Sequence, residues 1–265
     1  MSKVHYSLRD LRVLFERNLT ARDVAEALVS FDVGSSAEDV RNKLEIEGFD
    51  VAGAREGGLV GGYVRREDLQ DGSLRGYVQP FSEEELVSDS TPLSEVLTRL
   101  ATTRRVFVLS LDHVAGIITR ADLRKEPVRM WLFGVVSLLE MQLLRLIRDF
   151  HPDDDWTLFL SDERIAKARS ILRDRAARDE DIDLAECTEL TDKTRIAWRS
   201  RRLREALHLP SEAKWRVQAE RLRRLRDGLA HGREFRSDEW PELMLQVDGI
   251  QDLLLRAEGL FKLPQ

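Results

Sequence analysis

The chain has 265 residues, enough for one large domain or two ordinary ones, and 42% of them are hydrophobic, so a sizeable core can be buried. Lys and Arg number 42 against 48 Asp and Glu, a formal net charge of -6; this excludes a global positive field for nucleic acid and confines any RNA-binding face to a local patch. The single cysteine, Cys187, excludes an intramolecular disulfide and a cysteine-based zinc cluster, and it fits a reducing, cytoplasmic compartment.

The opening stretch MSKVHYSLRDLRV has no apolar core of the secretory-signal type. Up to Lys125, short helical patterns then alternate with short strand-like runs. Ser36 and Asp39 make a capping box ahead of Val40 and Leu44, which predicts a helix start. A strand FDVAGA follows from Phe49, and then the stretch GLVGGYVRREDL at 58–69. Thr91 before Pro92 predicts the next helix, with Thr91 as N-cap and proline at the first helical position. The strand RVFVLS from Arg105 and the stretch DHVAGIITRADL at 112–123 complete the pattern.

These runs are two copies of one unit. A constant spacing of 54 residues aligns Gly62 with Gly116, Val64 with Ile118, Arg66 with Arg120, Asp68 with Asp122 and Leu69 with Leu123. Each copy reads as helix–strand–strand–helix. A unit that small cannot close its own core, so the two are expected to pack face to face as a pseudo-symmetric pair.

After Glu126 the grammar becomes helical throughout. No Gly/Pro/Ser linker intervenes, so the two halves, residues 1–125 and 126–265, are expected to be rigidly joined. The apolar run MWLFGVVSLL at 130–139 falls short of the roughly 20 residues of a membrane span. It reads as part of a buried helix over 127–150, and no membrane partner is expected. Further helices are predicted over 161–179, 191–207, 211–231 and 240–261. The loop HPDDD at 151–155 has ligand-type residues, but neighbours in one loop rarely converge on an ion, so a solvated loop without metal is expected. Trp198, Trp215 and Trp240 sit among apolar helical neighbours and read as core or dimer-seam residues.

The stretch RLRRLRDGLAHGREF at 221–235 ends the fourth of these helices. Arg226 and His231 are five positions apart, about 140° around a straight helix, so within one intact helix they do not share a face. Gly228 can relax the last turn and Gly232 is placed to stop it. Cations at a helix C-terminus are stabilising in themselves, so the pair needs no function. The alternative is chemistry on phosphate.

The residues Gly116-Ile117-Ile118-Thr119-Arg120-Ala121-Asp122 match the Gly–apolar–apolar–Thr–x–x–Asp turn of CBS domains, and the first half of the chain resembles a tandem CBS pair. The first copy keeps Gly62 and Asp68 but has Arg65 where the threonine would stand. The resemblance implies an adenine nucleotide (AMP, ADP or ATP) as regulatory ligand, with Thr119, Asp122 and Asp68 on its ribose or phosphate. Arg65 would contact phosphate or fill the pocket, and the two apolar strands would border the base. A strand end followed by a helix start leaves backbone N–H groups as a phosphate seat, and a carboxylate suits ribose hydroxyls.

The second half resembles HEPN domains through Arg226, the polar Asp227 and His231 near a helix end. That resemblance implies a homodimer in which two such motifs meet, acting as a metal-independent endoribonuclease. His231 would be general base or acid, Arg226 would stabilise charge on the phosphate, and Asp227 would orient either. The two resemblances together imply an α/β N-terminal tandem CBS pair followed by an all-α helical, HEPN-like bundle. Its expected function is a nucleotide-regulated ribonuclease, or else a non-catalytic nucleotide-binding regulator whose helical half mediates dimerisation or binds RNA or protein partners.

Overall fold

The computed structural model describes residue 13, residues 18–231 and residues 239–260. The chain divides into two compact units, one ending at Val128 and the other running on from Arg129.

Among the described residues the first unit carries seven strands and two α-helices: β1 (Glu26–Ala27), β2 (Ser30–Asp32), α1 (Ala37–Glu47), β3 (Val51–Glu56), β4 (Leu59–Arg65), β5 (Leu86–Ser88), α2 (Leu93–Thr102), β6 (Arg105–Ser110) and β7 (His113–Thr119). The repeat is carried into backbone geometry. Val51 pairs with Arg65 and Gly53 with Tyr63 in one antiparallel hairpin, while Arg105 pairs with Thr119 and Phe107 with Ile117 in the other. Each hairpin breaks register at the same place, between Ala54 and Arg55 and between Val108 and Leu109. The first turn is made by Gly57 and Gly58, but the second places Leu111 and Asp112 at φ 50° and 63°, a conformation that costs side-chain-bearing residues.

Two expected details differ. Each copy ends in a short 3-10 turn (Arg66–Asp68 and Arg120–Arg124) rather than a full helix, and each has an additional short parallel strand, β2 or β5, ahead of its α-helix. At the second helix Pro92 is itself the N-cap, because Thr91 is tied by its carbonyl to the N–H of Ala21. Ser36 behaves as expected in accepting the N–H of Asp39.

Strand alternation gives each hairpin two apolar faces. One face takes the helix: Ala37, Val40 and Leu44 of α1 pack on Ala52, Ala54 and Val64. The other faces the second sheet, where Val51, Tyr63, Phe107 and Val114 form a shared core. The copies also exchange edges. The sheets run β2-β3-β4 and β1-β7-β6-β5, so β1, which precedes the first copy, completes the sheet of the second. Reciprocally, Gln79, which precedes the second copy, bridges Tyr63 on the edge of the first.

This exchange explains the repeated glycine. A Cβ on Gly62 would lie 2.5 Å from the Gln79 carbonyl oxygen, and one on Gly116 would lie 3.1 Å from that of Glu26. Each glycine admits the visiting strand.

The second unit is helical: α3 (Glu126–Phe150), which starts in the last residues of the first unit, then α4 (Asp162–Ala176), α5 (Leu190–Arg199), α6 (Arg201–Ala206), α7 (Glu212–Ala230) and α8 (Trp240–Leu260). By length and composition alone α3 could cross a membrane, yet 61% of its most apolar window is buried within the protein. Lys193 of α5, itself buried, ties to Glu140 of α3 at 3.0 Å and to the Thr188 carbonyl.

The single helix expected over 191–207 is two, broken at Ser200. That residue is extended (φ -67°, ψ 113°), and its hydroxyl caps α6 by accepting the Leu203 N–H. The loop read as wholly solvated is so only in part. Asp153 and Asp154 are exposed, but His151 is buried, with Nδ1 against Asp155 at 2.7 Å and Nε2 against the Ser200 hydroxyl at 2.8 Å. Trp215 and Trp240 are core residues as expected. Trp198 is half-buried, with the Arg204 guanidinium over its ring.

Candidate functional site

A cavity of about 770 Å³ opens where the ends of the two hairpins meet. Its wall is built from Glu26–Val29 on the exchanged segment, the starts of β3 and β6 (Phe49 to Val51; Arg104 and Arg105), and the ends of β4 and β7 with the turns after them. The volume is that of a small-molecule site. Leu28, Val29 and Ile117 give it an apolar side, and five arginines with four carboxylates give it a charged rim.

Thr119 and Asp122 sit together in this wall. The carboxylate Oδ2 of Asp122 accepts the Thr119 N–H at 2.7 Å and its hydroxyl at 2.9 Å, a reciprocal cap on the turn that follows β7. The other oxygen, Oδ1, meets the Lys125 ammonium at 2.9 Å. Lys125 also pairs with Glu26 at 2.5 Å and donates to the Val24 carbonyl. Burial pulls the Lys125 pKa down, but its bonds to Glu26 and Asp122 outweigh that and hold it above the usual lysine value. One ammonium is thereby shared by two of the cleft's carboxylates.

Of the four binding residues expected from sequence, Thr119, Asp122 and Arg65 line the cavity and Asp68 does not. The Asp68 carboxylate is taken by Arg65 at 2.7 Å and by the Gln79 amide at 3.0 Å. Arg65 also reaches Glu67 at 3.2 Å, so it spends its guanidinium within its own turn.

The arginines that sequence reading passed over are better placed. Arg66 is paired with Asp50, and Arg120 donates to three backbone carbonyls. Arg104 has no ion pair among the described residues, and Nη1 of Arg105 is buried without a hydrogen-bond partner. The signal was present as an arginine doublet immediately ahead of an apolar strand.

In the second unit, Arg226 and His231 are both exposed at the last turn of α7, and no contact joins them among the described residues. Asp227 holds Arg223 at 2.8 Å with one oxygen and Arg226 at 3.5 Å with the other. His231 is the C-cap, its N–H on the Asp227 carbonyl; Gly232, expected to stop the helix, lies outside the described residues. The neighbouring arginines of the stretch are matched by carboxylates: Glu220 takes both Arg223 and Arg224, and Arg221 reaches Glu242 of α8. Bonds from Arg223 and Arg224 hold the Glu220 carboxyl down at about 2. The stretch is therefore locally neutralised, not a bare cationic patch. Among the described residues no three metal-ligating side chains converge.

Comparison with known proteins gives one family. The sequence model for the CBS domain matches residues 83–129, so the second repeat, with β6, β7 and Thr119 to Asp122, carries a CBS domain. Among curated proteins no sequence relative matches. Similar solved structures include an uncharacterized conserved protein from Pyrococcus horikoshii (16% identity, 40% of this chain and 90% of that one, TM-score 0.36). They also include CBSX2 in complex with AMP (20%, 40% and 93%, 0.36). A third is the CBS domain of a bacterial CNNM/CorC family Mg2+ transporter in complex with ATP (13%, 46% and 94%, 0.36).

Proposed function

We propose that the first unit is a CBS pair that binds an adenine nucleotide in the cleft described above and regulates the helical unit that follows. The observation that carries this reading is a pair of guanidiniums on one cavity wall: among the described residues Arg104 has no ion pair and Nη1 of Arg105 is buried without a hydrogen-bond partner, in the same cavity as Thr119 and Asp122. A buried cationic donor without a partner is costly, and a phosphate oxygen is the acceptor that best satisfies it. Thr119 and Asp122 then serve the ribose, and Leu28, Val29 and Ile117 border the base. Lys125, closed on Asp122 and Glu26, is the residue before α3, so the chain itself links the ligand seat to the helical unit.

The test is calorimetric titration with AMP, ADP and ATP. Asp122→Asn, which preserves shape while removing the charge, is expected to weaken binding about tenfold, as loss of a charge-assisted bond does. Wild-type protein that binds none of the three nucleotides sinks the reading.

For the helical unit we propose a homodimer in which the paired Arg226 and His231 motifs cleave RNA without metal. The exposure of both side chains at one helix end favours this. His231 acts as general acid or base and Arg226 stabilises the phosphate charge; Asp227, already bonded to Arg226, orients it. Labelled RNA incubated with the protein in chelator is expected to be cut, and His231→Ala to abolish cutting. Cleavage that survives His231→Ala removes the catalytic assignment, and absence of cleavage by the wild-type protein leaves the non-catalytic regulator as the reading of the chain.

A further inference from the structure

The spacing that relates the two repeats gives the apolar residues at and behind the open cleft counterparts, and the counterparts are not alike. Gly53 corresponds to Phe107 and Ile117 to Tyr63, as the matched hairpin registers require. The exchanged edges pair Glu26 with Ile117 and Gln79 with Tyr63, which makes Leu28 and Phe81 equivalent, each two residues further on. One half therefore has glycine, leucine and isoleucine where the other has three aromatic rings. Those rings pack on one another: Phe107 lies 4.6 Å from Phe81 and 4.9 Å from Tyr63 between centroids, and Tyr63 stacks on Phe81 at 5.8 Å. The equivalent carboxylate, Asp68, is already held by Arg65 and Gln79. The base position is thus taken by the chain's own rings, which is where the two halves part, since Asp122 and Asp68 are each held by neighbouring groups.

The filled half also touches the open one. The Arg105 guanidinium sits over the Tyr63 ring, 5.4 Å from its centroid, while Arg105 lines the open cleft and keeps its Nη1 without a partner. A planar guanidinium resting on an aromatic face is restrained in orientation and keeps its edge N–H groups for another acceptor.

We infer that this pair takes a single nucleotide per chain, in the half built on Thr119 and Asp122, and that the self-filled half supports it, with Tyr63 as the positioning residue that holds Arg105 against the ligand's phosphate. The inference rests on the nucleotide reading of the cleft given above.

Calorimetry of the full chain with ATP is expected to saturate at one ligand per chain, and Asp68→Asn is expected to leave the affinity unchanged. Tyr63→Leu is expected to weaken ATP about fivefold, the worth of one cation–π contact. The same variant leaves adenosine, measured by displacement of a fluorescent ATP analogue, at its wild-type affinity, because adenosine has no phosphate for Arg105 to hold. Tyr63→Phe keeps the ring face and the wild-type ATP affinity. Arg105→Lys, which cannot stack, reproduces the loss without disturbing the core and serves if Tyr63→Leu fails to fold. Two ATP molecules per chain, equal losses for ATP and adenosine, or no recovery in Tyr63→Phe would each overturn the inference. Absence of any ATP binding by wild type instead removes the nucleotide reading beneath it.

Discussion

Gly62→Ala destabilises the first unit by about 3 kcal/mol, at the upper end of what forced overpacking costs, while Gly116→Ala, the same change at the matching position, costs about 1 kcal/mol. The difference comes from what each new methyl group meets. At Gly62 it lands 2.5 Å from the Gln79 carbonyl oxygen and 2.7 Å from a Val78 methyl. That carbonyl cannot retreat freely, because it accepts the Tyr63 N–H at 2.9 Å and the Gln79 N–H donates back to Tyr63 at 2.8 Å. Relief requires breaking the pair that covers the edge of β4. At Gly116 the nearest atom is the Glu26 carbonyl oxygen at 3.1 Å, and a shift of a few tenths of an ångström suffices. Urea unfolding of the two variants side by side checks the order; equal stabilities would show that the exchanged segments do not press on these glycines.

The second large effect lies in the helical unit. His151→Ala is expected to cost about 3 kcal/mol, combining a cavity with the loss of a buried hydrogen bond and a partly buried one. The imidazole joins Asp155 to Ser200 and meets Phe159 edge-on at 5.4 Å. Ser200 is the residue at which α5 stops and α6 begins, so the histidine braces the corner between two helices. Ser200→Ala loses the cap as well as the bond, and the double variant is expected to cost less than the two single changes together, since the residues share one interaction. Chemical denaturation provides the measurement. A His151→Ala protein within about 0.5 kcal/mol of wild type, the range of ordinary surface changes, would reduce His151 to a filler.

These two sites mark where the sequence could be read and where it could not. The repeat was legible because its spacing never varies and because glycine and aspartate recur in it at fixed places. The reason for the glycine was hidden: β1 has two residues, both exposed, and no periodicity announces so short a strand. Thr119 and Asp122 could be picked out by motif, but the self-filling of the other half could not. Tyr63 and Ile117 are both acceptable on an inward strand face, and only packing separates a ring that fills a cleft from a side chain that lines one. The break at Ser200 was equally invisible, because RIAWRSRRLREAL keeps an amphipathic helical rhythm across it. The side chain that meets Ser200 at the break is a histidine 49 residues earlier in the chain. The neutralisation of α7's arginines was half visible, since Glu220 stands three and four residues before Arg223 and Arg224, whereas the Arg221 partner, Glu242, lies on another helix.

The exchange of edges bears on how the first unit comes into being and comes apart. Each repeat finishes the other's sheet, so neither can be cut out as a freestanding piece: a fragment stopped before Gln79 would keep β4 with a bare rim, and one begun after Ala27 would leave β7 in the same state. Bare rims of this kind recruit foreign strands and aggregate. The sequence-distant pairings that close them, Glu26 with Ile117 above all, raise the contact order of the unit and are expected to slow its folding. The two halves of the first unit are therefore expected to melt together, as a single transition for that unit.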